Sequence, residues 1–238
     1  RSDGSQKPLV SELLAFDKFL NEQKPLSPYQ QDVCCILSKG QDTWAVAYAV
    51  NLLCKQAGLD VRYVDGEDIL PDYPAYLLPS LTGDAIPKRT WNALMKKVEG
   101  GATLYISWQD AILASFERIT GMKVISNCMR TNKQVALSMP CLQAELSLQN
   151  DRRMNLAVNQ DADVLAAEDD GNPAFICHKY GRGQVYFLSF PMETMLADQP
   201  QAFENTDYYR LYQQMFAKVA DRKITAKSSP QLAVTEHP

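Results

Sequence analysis

Histidine is scarce in this 238-residue chain: there are two, His178 and His237, and they lie far apart. No Cys-x-x-Cys pair accompanies them, so a structural zinc site, which gathers four Cys and His ligands, is not expected. Six cysteines are too few at this length for a disulfide scaffold and read as small buried hydrophobes. No run of glycines follows a strand to cradle a phosphate, because the first candidate loop holds Gly40 alone. Nothing in the chain asks for a cofactor. No apolar stretch approaches the roughly 18 residues of a membrane helix. Positive charge is not in excess either. The formal charge is −4, and the basic pairs Lys96–Lys97 and Arg152–Arg153 are short, so neither a nucleic acid nor a membrane is an expected partner.

What is present is a hydrophobic fraction of 46% with 22% charged residues, enough for one large domain with a small appendage. Leu9, Leu13, Phe16 and Leu20 recur at helical spacing and stop at Asn21. Lys24-Pro25-Leu26-Ser27-Pro28 then reads as an extended linker, since residues before proline avoid the helical region. No signal peptide is expected, because Arg1–Lys7 is polar, and both ends read as cuts through a longer polypeptide. The expected division is 1–28 as a connector from an upstream domain, 29–222 as an α/β domain, and 223–238 as a tail or linker.

Val33–Leu37 is nearly continuous in apolar residues, as suits a strand covered on both faces of a parallel sheet. Cys34 and Cys35 within it should point to opposite faces. Asp42 or Thr43 is placed to cap a helix over Trp44–Ala57, which is apolar almost all round and ends at Gly58. Val61–Val64, Ala75–Pro79 and Thr103–Ile106 are further strands. The stripe Trp91, Leu94, Met95 and Val98 forms a helix between the last two, stopped by Gly100-Gly101. Ala111–Thr120 reads as a short helix. After Lys123 come alternating runs at Gln134–Ser138, Ala144–Leu148, Asn155–Val158 and Val164–Ala167. Turn signals flank Ala174–His178, Gln184–Phe190 is a strand, and Tyr208 to Val219 a final helix. The fold class is α/β: a flavodoxin-like open, mostly parallel sheet with helices on both faces and an antiparallel β extension in the second half.

Open parallel sheets bind ligands beyond the carboxyl ends of their strands. The side chains best placed there are Gln41 and Asp42 after the first strand, and Trp108, Gln109 and Asp110 after the fourth. Trp108 can stack on an apolar sugar face or pack in the core or against a neighbouring domain, and packing outweighs stacking. Trp44 and Trp91 fall on helix faces and are expected in the core. Ser107 ends a strand but lacks the flanking glycines of a nucleophile elbow, and His178 lies about seventy residues on, better read as structural than as its base. Glu67, Asp68, Asp110, Glu117, Glu168 and Glu193 are acids in number, with no pairing legible in the sequence.

The order of Leu77-Leu78-Pro79-Ser80, Gly100-Gly101-Ala102-Thr103-Leu104, Asp163-Val164-Leu165-Ala166 ahead of Pro173-Ala174, and Tyr180-Gly181-Arg182-Gly183-Gln184-Val185-Tyr186 resembles class I glutamine amidotransferase-like domains. It is most similar to the β-galactosidase trimerisation-domain type, which follows the catalytic barrel of some glycoside hydrolases. A working amidotransferase has a cysteine where Ser107 stands and a late Phe-His-Pro-Glu; here that stretch is Phe190-Pro191-Met192-Glu193. The resemblance therefore implies a non-catalytic accessory domain that packs on an upstream barrel of the same polypeptide, self-associates, and lends loop residues such as Trp108 to a carbohydrate cleft. It favours a periplasmic or secreted setting. A carbohydrate- or small-ligand-binding module and a stand-alone hydrolase using Ser107 are the alternatives. Expected partners are thus the barrel, further copies of the chain and an oligosaccharide.

Overall fold

The computed structural model describes residues 7–23, 31–83, 86–131, 134–139, 144–149, 151–159, 161–199 and 201–219. Helix α1 (Pro8–Glu22) begins with proline, whose missing N–H costs nothing in a first turn. It belongs to one compact unit, and the described residues from Gln31 onward belong to another.

The second unit is a seven-stranded sheet. Its strands are β1 (Val33–Leu37), β2 (Val61–Asp65), β3 (Ala75–Leu81), β4 (Thr103–Trp108), β9 (Ala162–Ala167), β10 (Pro173–Tyr180) and β11 (Gly183–Leu188). They lie in the order β2-β1-β3-β4-β11-β10-β9. The first five in that order are mutually parallel, and β10 runs antiparallel to both its neighbours. The α/β reading and the antiparallel second half are both present. Two further antiparallel pairs join β5 (Met122–Met129) to β8 (Arg152–Val158) and β6 (Gln134–Met139) to β7 (Ala144–Gln149).

The strand pleat divides the core in two. Val33, Cys35, Leu77, Tyr105 and Leu188 face α2 (Thr43–Ala57), α5 (Met192–Ala197) and α7 (Tyr209–Phe216). Cys34, Ile36, Leu78, Leu104 and Ile106 face α3 (Lys88–Glu99), α4 (Phe116–Thr120) and the β5–β8 pair. Each Leu- or Val-sized side chain so buried contributes about 1.5–3 kcal/mol. Burial also pushes the Cys34 thiol up to about 12, so it is no nucleophile at neutral pH. The turn joining β10 to β11 needs its glycines: a Cβ on Gly183 would sit 2.2 Å from the carbonyls of Ala102 and Val98, and Gly181 has φ +61.

Two expectations are corrected, on Ala111–Thr120 and on Trp44, and three elements go unread in the sequence. Ala111–Thr120 is helical only from Phe116, because Ser115 adopts φ +57. Strand β5 was not predicted, since it is mostly exposed from Lys123 on and carries no clean alternation. The short helices α5 and α6 (Ala202–Asn205) are below the length at which a period can be read. Trp44 is not in the core but 82% exposed. The buried stripe of α2 is Val46, Ala49, Val50, Leu53 and Cys54, and Trp44, two residues ahead of it, lands on the far side.

Candidate functional site

Period-two alternation along β4 puts Tyr105 and Ser107 on one face and Ile106 and Trp108 on the other. Ser189-Phe190-Pro191 carries the chain from β11 into α5, whose second residue is Glu193. Its carboxylate is fully buried. Four hydroxyls donate to it: Tyr105 and Tyr212 to Oε1, each at 2.9 Å, Ser80 to Oε2 at 3.1 Å, and Ser107 to Oε2. The tyrosines also meet ring to ring, 5.6 Å apart and inclined at 61°. Burial, reinforced by the Glu193 charge, holds both phenols well above the ordinary tyrosine range, so they stay hydrogen-bond donors.

Ser80 shapes this centre through its backbone. A register break in β3 between Leu78 and Leu81, together with φ +45 at Ser80, turns its N–H onto Ser107 Oγ at 2.6 Å. A left-handed residue with a side chain costs about 1–2 kcal/mol, and here the surrounding hydrogen bonds hold it. The Ser80 hydroxyl accepts from the Thr194 N–H at 3.1 Å while donating to Glu193.

Acyl transfer from Ser107 would need a base, an open approach and a vacant position beside Oγ. The Ser107 oxygen already accepts from Ser80 and donates to Glu193, and the residue has no exposure. His178 cannot serve. It pairs with Val185, which pairs with Leu104, three residues before Ser107 and two strands across. That is roughly 10 Å along the sheet and roughly 10 Å across it. Its ring instead meets Ile119 O at 2.8 Å and Asp161 Oδ2 at 3.2 Å.

The sequence-predicted ligand residues divide over this edge. Trp108 is 3% exposed, with its N–H donated to Ala111 O at 2.8 Å, so its ring packs in the core. Its shared face with Leu104 and Ile106 is the signal that could have shown this. Asp110 accepts from Thr82 and, at 3.0 Å, from the Gly83 N–H, bonds that hold its carboxyl below the usual range despite some burial. The Gln109 N–H donates to Leu81 O at 2.9 Å. Asp42 caps α2 through Ala45 N–H at 3.0 Å. Gln41 accepts from the Ser38 hydroxyl, and its enclosed amide nitrogen has no partner among the described residues. Gln41 and Asp42 follow β1, whereas Trp108 closes β4 and Gln109 and Asp110 follow it, with β3 between the two groups. They form no single cluster.

A second buried charge lies past β9. Arg130 grips Glu168 through two bonds, 2.6 and 2.8 Å, and stands 5.3 Å over the Phe190 ring. Asn172 adds a bond at 3.0 Å and Arg153 an ion pair at 3.7 Å. Burial raises the Glu168 carboxyl, but these donors outweigh it and leave it lowered. Sequence reading missed both clusters, since their members are joined only by the fold. Among the described residues no group of three His, Cys, Asp or Glu could hold a metal, and no helix is long and apolar enough to cross a membrane.

No family model and no curated protein matches the chain. Solved structures do. An exo-β-1,4-mannosidase from Opitutaceae bacterium strain TAV5 superposes with TM-score 0.61 at 16% identity, covering 79% of this chain and 36% of that one. A polyextremophilic β-galactosidase from the Antarctic haloarchaeon Halorubrum lacusprofundi gives TM-score 0.59 and 16% identity over 87% of this chain and 35% of its own. A cytoplasmic protein of Salmonella typhimurium LT2, STM1381, gives TM-score 0.60 and 12% identity over 79% of this chain and 98% of its own. The chain thus spans about a third of the two glycoside hydrolases it resembles and nearly the whole of the Salmonella protein. At these identities the likeness is one of fold, and that fold recurs as a part of glycoside hydrolases.

Proposed function

We propose that this chain is a non-catalytic accessory domain of a carbohydrate-degrading enzyme, of the glutamine amidotransferase-like, β-galactosidase trimerisation type. The observation that carries the reading is the sealed Ser107–Glu193 centre. The strand end where an amidotransferase keeps its thiolate holds a buried serine, hydrogen-bonded on both sides and, among the described residues, lacking a histidine partner. A group so enclosed ties β3, β4, α5 and α7 together and offers no approach to a substrate. Glycoside hydrolases that carry this fold in about a third of their length support the setting. The stand-alone hydrolase using Ser107 finds no support in this geometry.

On this reading the domain packs on an upstream catalytic barrel of the same polypeptide and associates with further copies of itself. The test is to express the chain with its upstream coding sequence and measure mass by light scattering and glycosidase activity. Ser107→Ala should leave turnover unchanged while lowering the melting temperature. Turnover abolished in a folded Ser107→Ala protein would overturn the reading, as would an upstream sequence with no catalytic domain.

A further inference from the structure

Residues 112–115 stay irregular before α4 starts at Phe116, and a cavity of about 670 Å³ opens between this stretch and α3. That volume falls within the roughly 300–1,000 Å³ of small-molecule sites. From α3 it is lined by Lys88, Trp91, Met95, Lys96 and Glu99, which at i, i+3, i+7, i+8 and i+11 share one helix face. Arg118, Ile119 and Tyr180 line it from across. Trp91, Met95, Ile119 and Tyr180 are buried and make its floor, while Lys88, Lys96 and Arg118 are exposed and make its rim.

The rim charges are unspent. None of these three cations has an ionic partner among the described residues, whereas the neighbouring Lys97 pairs with Asp72 and Arg89 donates to Glu67 O. The Arg118 guanidinium stands 5.7 Å over the Tyr180 ring, which fixes its position at the rim. Glu99 is the single acid of the lining, so the cavity is cationic in a chain whose formal charge is −4. One end is closed: the Arg182 N–H donates to Glu99 O at 3.0 Å and brings the β10–β11 turn against the last turn of α3.

Floor and rim address different parts of one molecule. An indole, a thioether and a phenol ring offer flat, polarizable contact to an apolar body. Cations on both walls offer charge-assisted bonds to carboxylate, sulfonate or phosphate oxygens. A trough closed at one end takes a compact molecule rather than a through-running chain. We infer that the groove between α3 and α4 binds a small anion with an apolar ring body, with Lys88, Lys96 and Arg118 meeting its charge and Trp91 and Met95 its rings. The site lies on the face of the sheet opposite Tyr105 and Glu193 and stands independently of the accessory reading.

The probe is anilinonaphthalene sulfonate, an apolar ring system with one anionic group, whose emission rises on leaving water. Titrated into the whole chain it should saturate at one site. Phenylnaphthylamine, the same rings without the sulfonate, should bind about ten-fold more weakly. Lys96→Glu combined with Arg118→Glu should weaken the sulfonate about ten-fold or more and leave the melting temperature in place, because both side chains are exposed. Arg62→Glu, exposed on β2, should change neither. Equal binding of the two probes, or sulfonate binding untouched by the double reversal, overturns the inference. So does loss of binding when the chain is expressed with its upstream coding sequence, since the groove would then be a contact between domains.

Discussion

Two buried glutamates belong to the same domain, and their oxygens are satisfied in opposite ways. Glu168 takes a bidentate guanidinium, backed by Arg153 and Asn172. Glu193 takes four hydroxyls, and among the described residues no lysine, arginine or histidine pairs with it. A guanidinium fixes one carboxylate geometry through a rigid fork, whereas hydroxyls arrive singly from different elements. The first arrangement clips a local loop to the β5–β8 pair. The second gathers β3, β4, α5 and α7 at one point, which is where an enzyme of this architecture would instead leave an opening. The difference teaches that a buried acid at a strand end is no sign of catalysis when every lone pair is met by the protein itself.

The comparison breaks most sharply at Arg130. Arg130→Ala leaves the buried Glu168 with only the longer Arg153 ion pair and the Asn172 bond, and should cost about 3 kcal/mol in denaturant unfolding. A loss within the scatter of surface variants would show that water reaches this carboxylate. Glu193→Gln keeps the shape but forfeits charge-assisted bonds, and about 2 kcal/mol is expected from the same measurement. No loss there would mean that the hydroxyls re-pair among themselves and that the charge is dispensable.

Acid sharpens the contrast. Glu168 and Asp110 have folded-state values below their usual ones. Their contribution to stability is therefore complete above the unfolded carboxylate range near pH 4 and drains away as pH falls through the depressed folded values. Urea midpoints should fall steadily below about pH 5, and the double variant Arg130→Met, Glu168→Leu should flatten that slope. A slope unchanged in the double variant would place the acid sensitivity elsewhere. Ser107→Ala removes one donor and one acceptor together, and about 1–2 kcal/mol is expected by calorimetric melting. The smallest effect is at the surface: Trp44→Ala should move stability by no more than about 0.5 kcal/mol, against about 3–5 for Trp108→Ala. Equal losses at the two tryptophans would mean that Trp44 is covered after all.

Where a signal is local, the residues carried it. The apolar run Val33–Leu37, the Asp42 cap, the stripe Trp91 to Val98 and the glycines before β11 each announce their element, because strand burial, capping and steric room act over a few residues. Even the face of Trp108 was readable from the two-residue period of β4. Trp44 was legible only in part. Its helix is apolar nearly all round, and only Asn51 and Lys55, at i+7 and i+11 from Trp44, mark the outer face, a thin signal beside the apolar residues around them.

The chain alone therefore decides the α/β alternation, the positions of its turns and the scarcity of histidine, since each depends on neighbouring side chains or on a simple count. It does not decide how Glu193 meets Ser80, Tyr105, Ser107 and Tyr212, residues separated by as many as 113 positions. Hydrogen bonds reach about 3 Å, so such a meeting exists only after the strands are ordered and the helices laid down. Tertiary structure closed this strand end, and it left the α2 aromatics facing water.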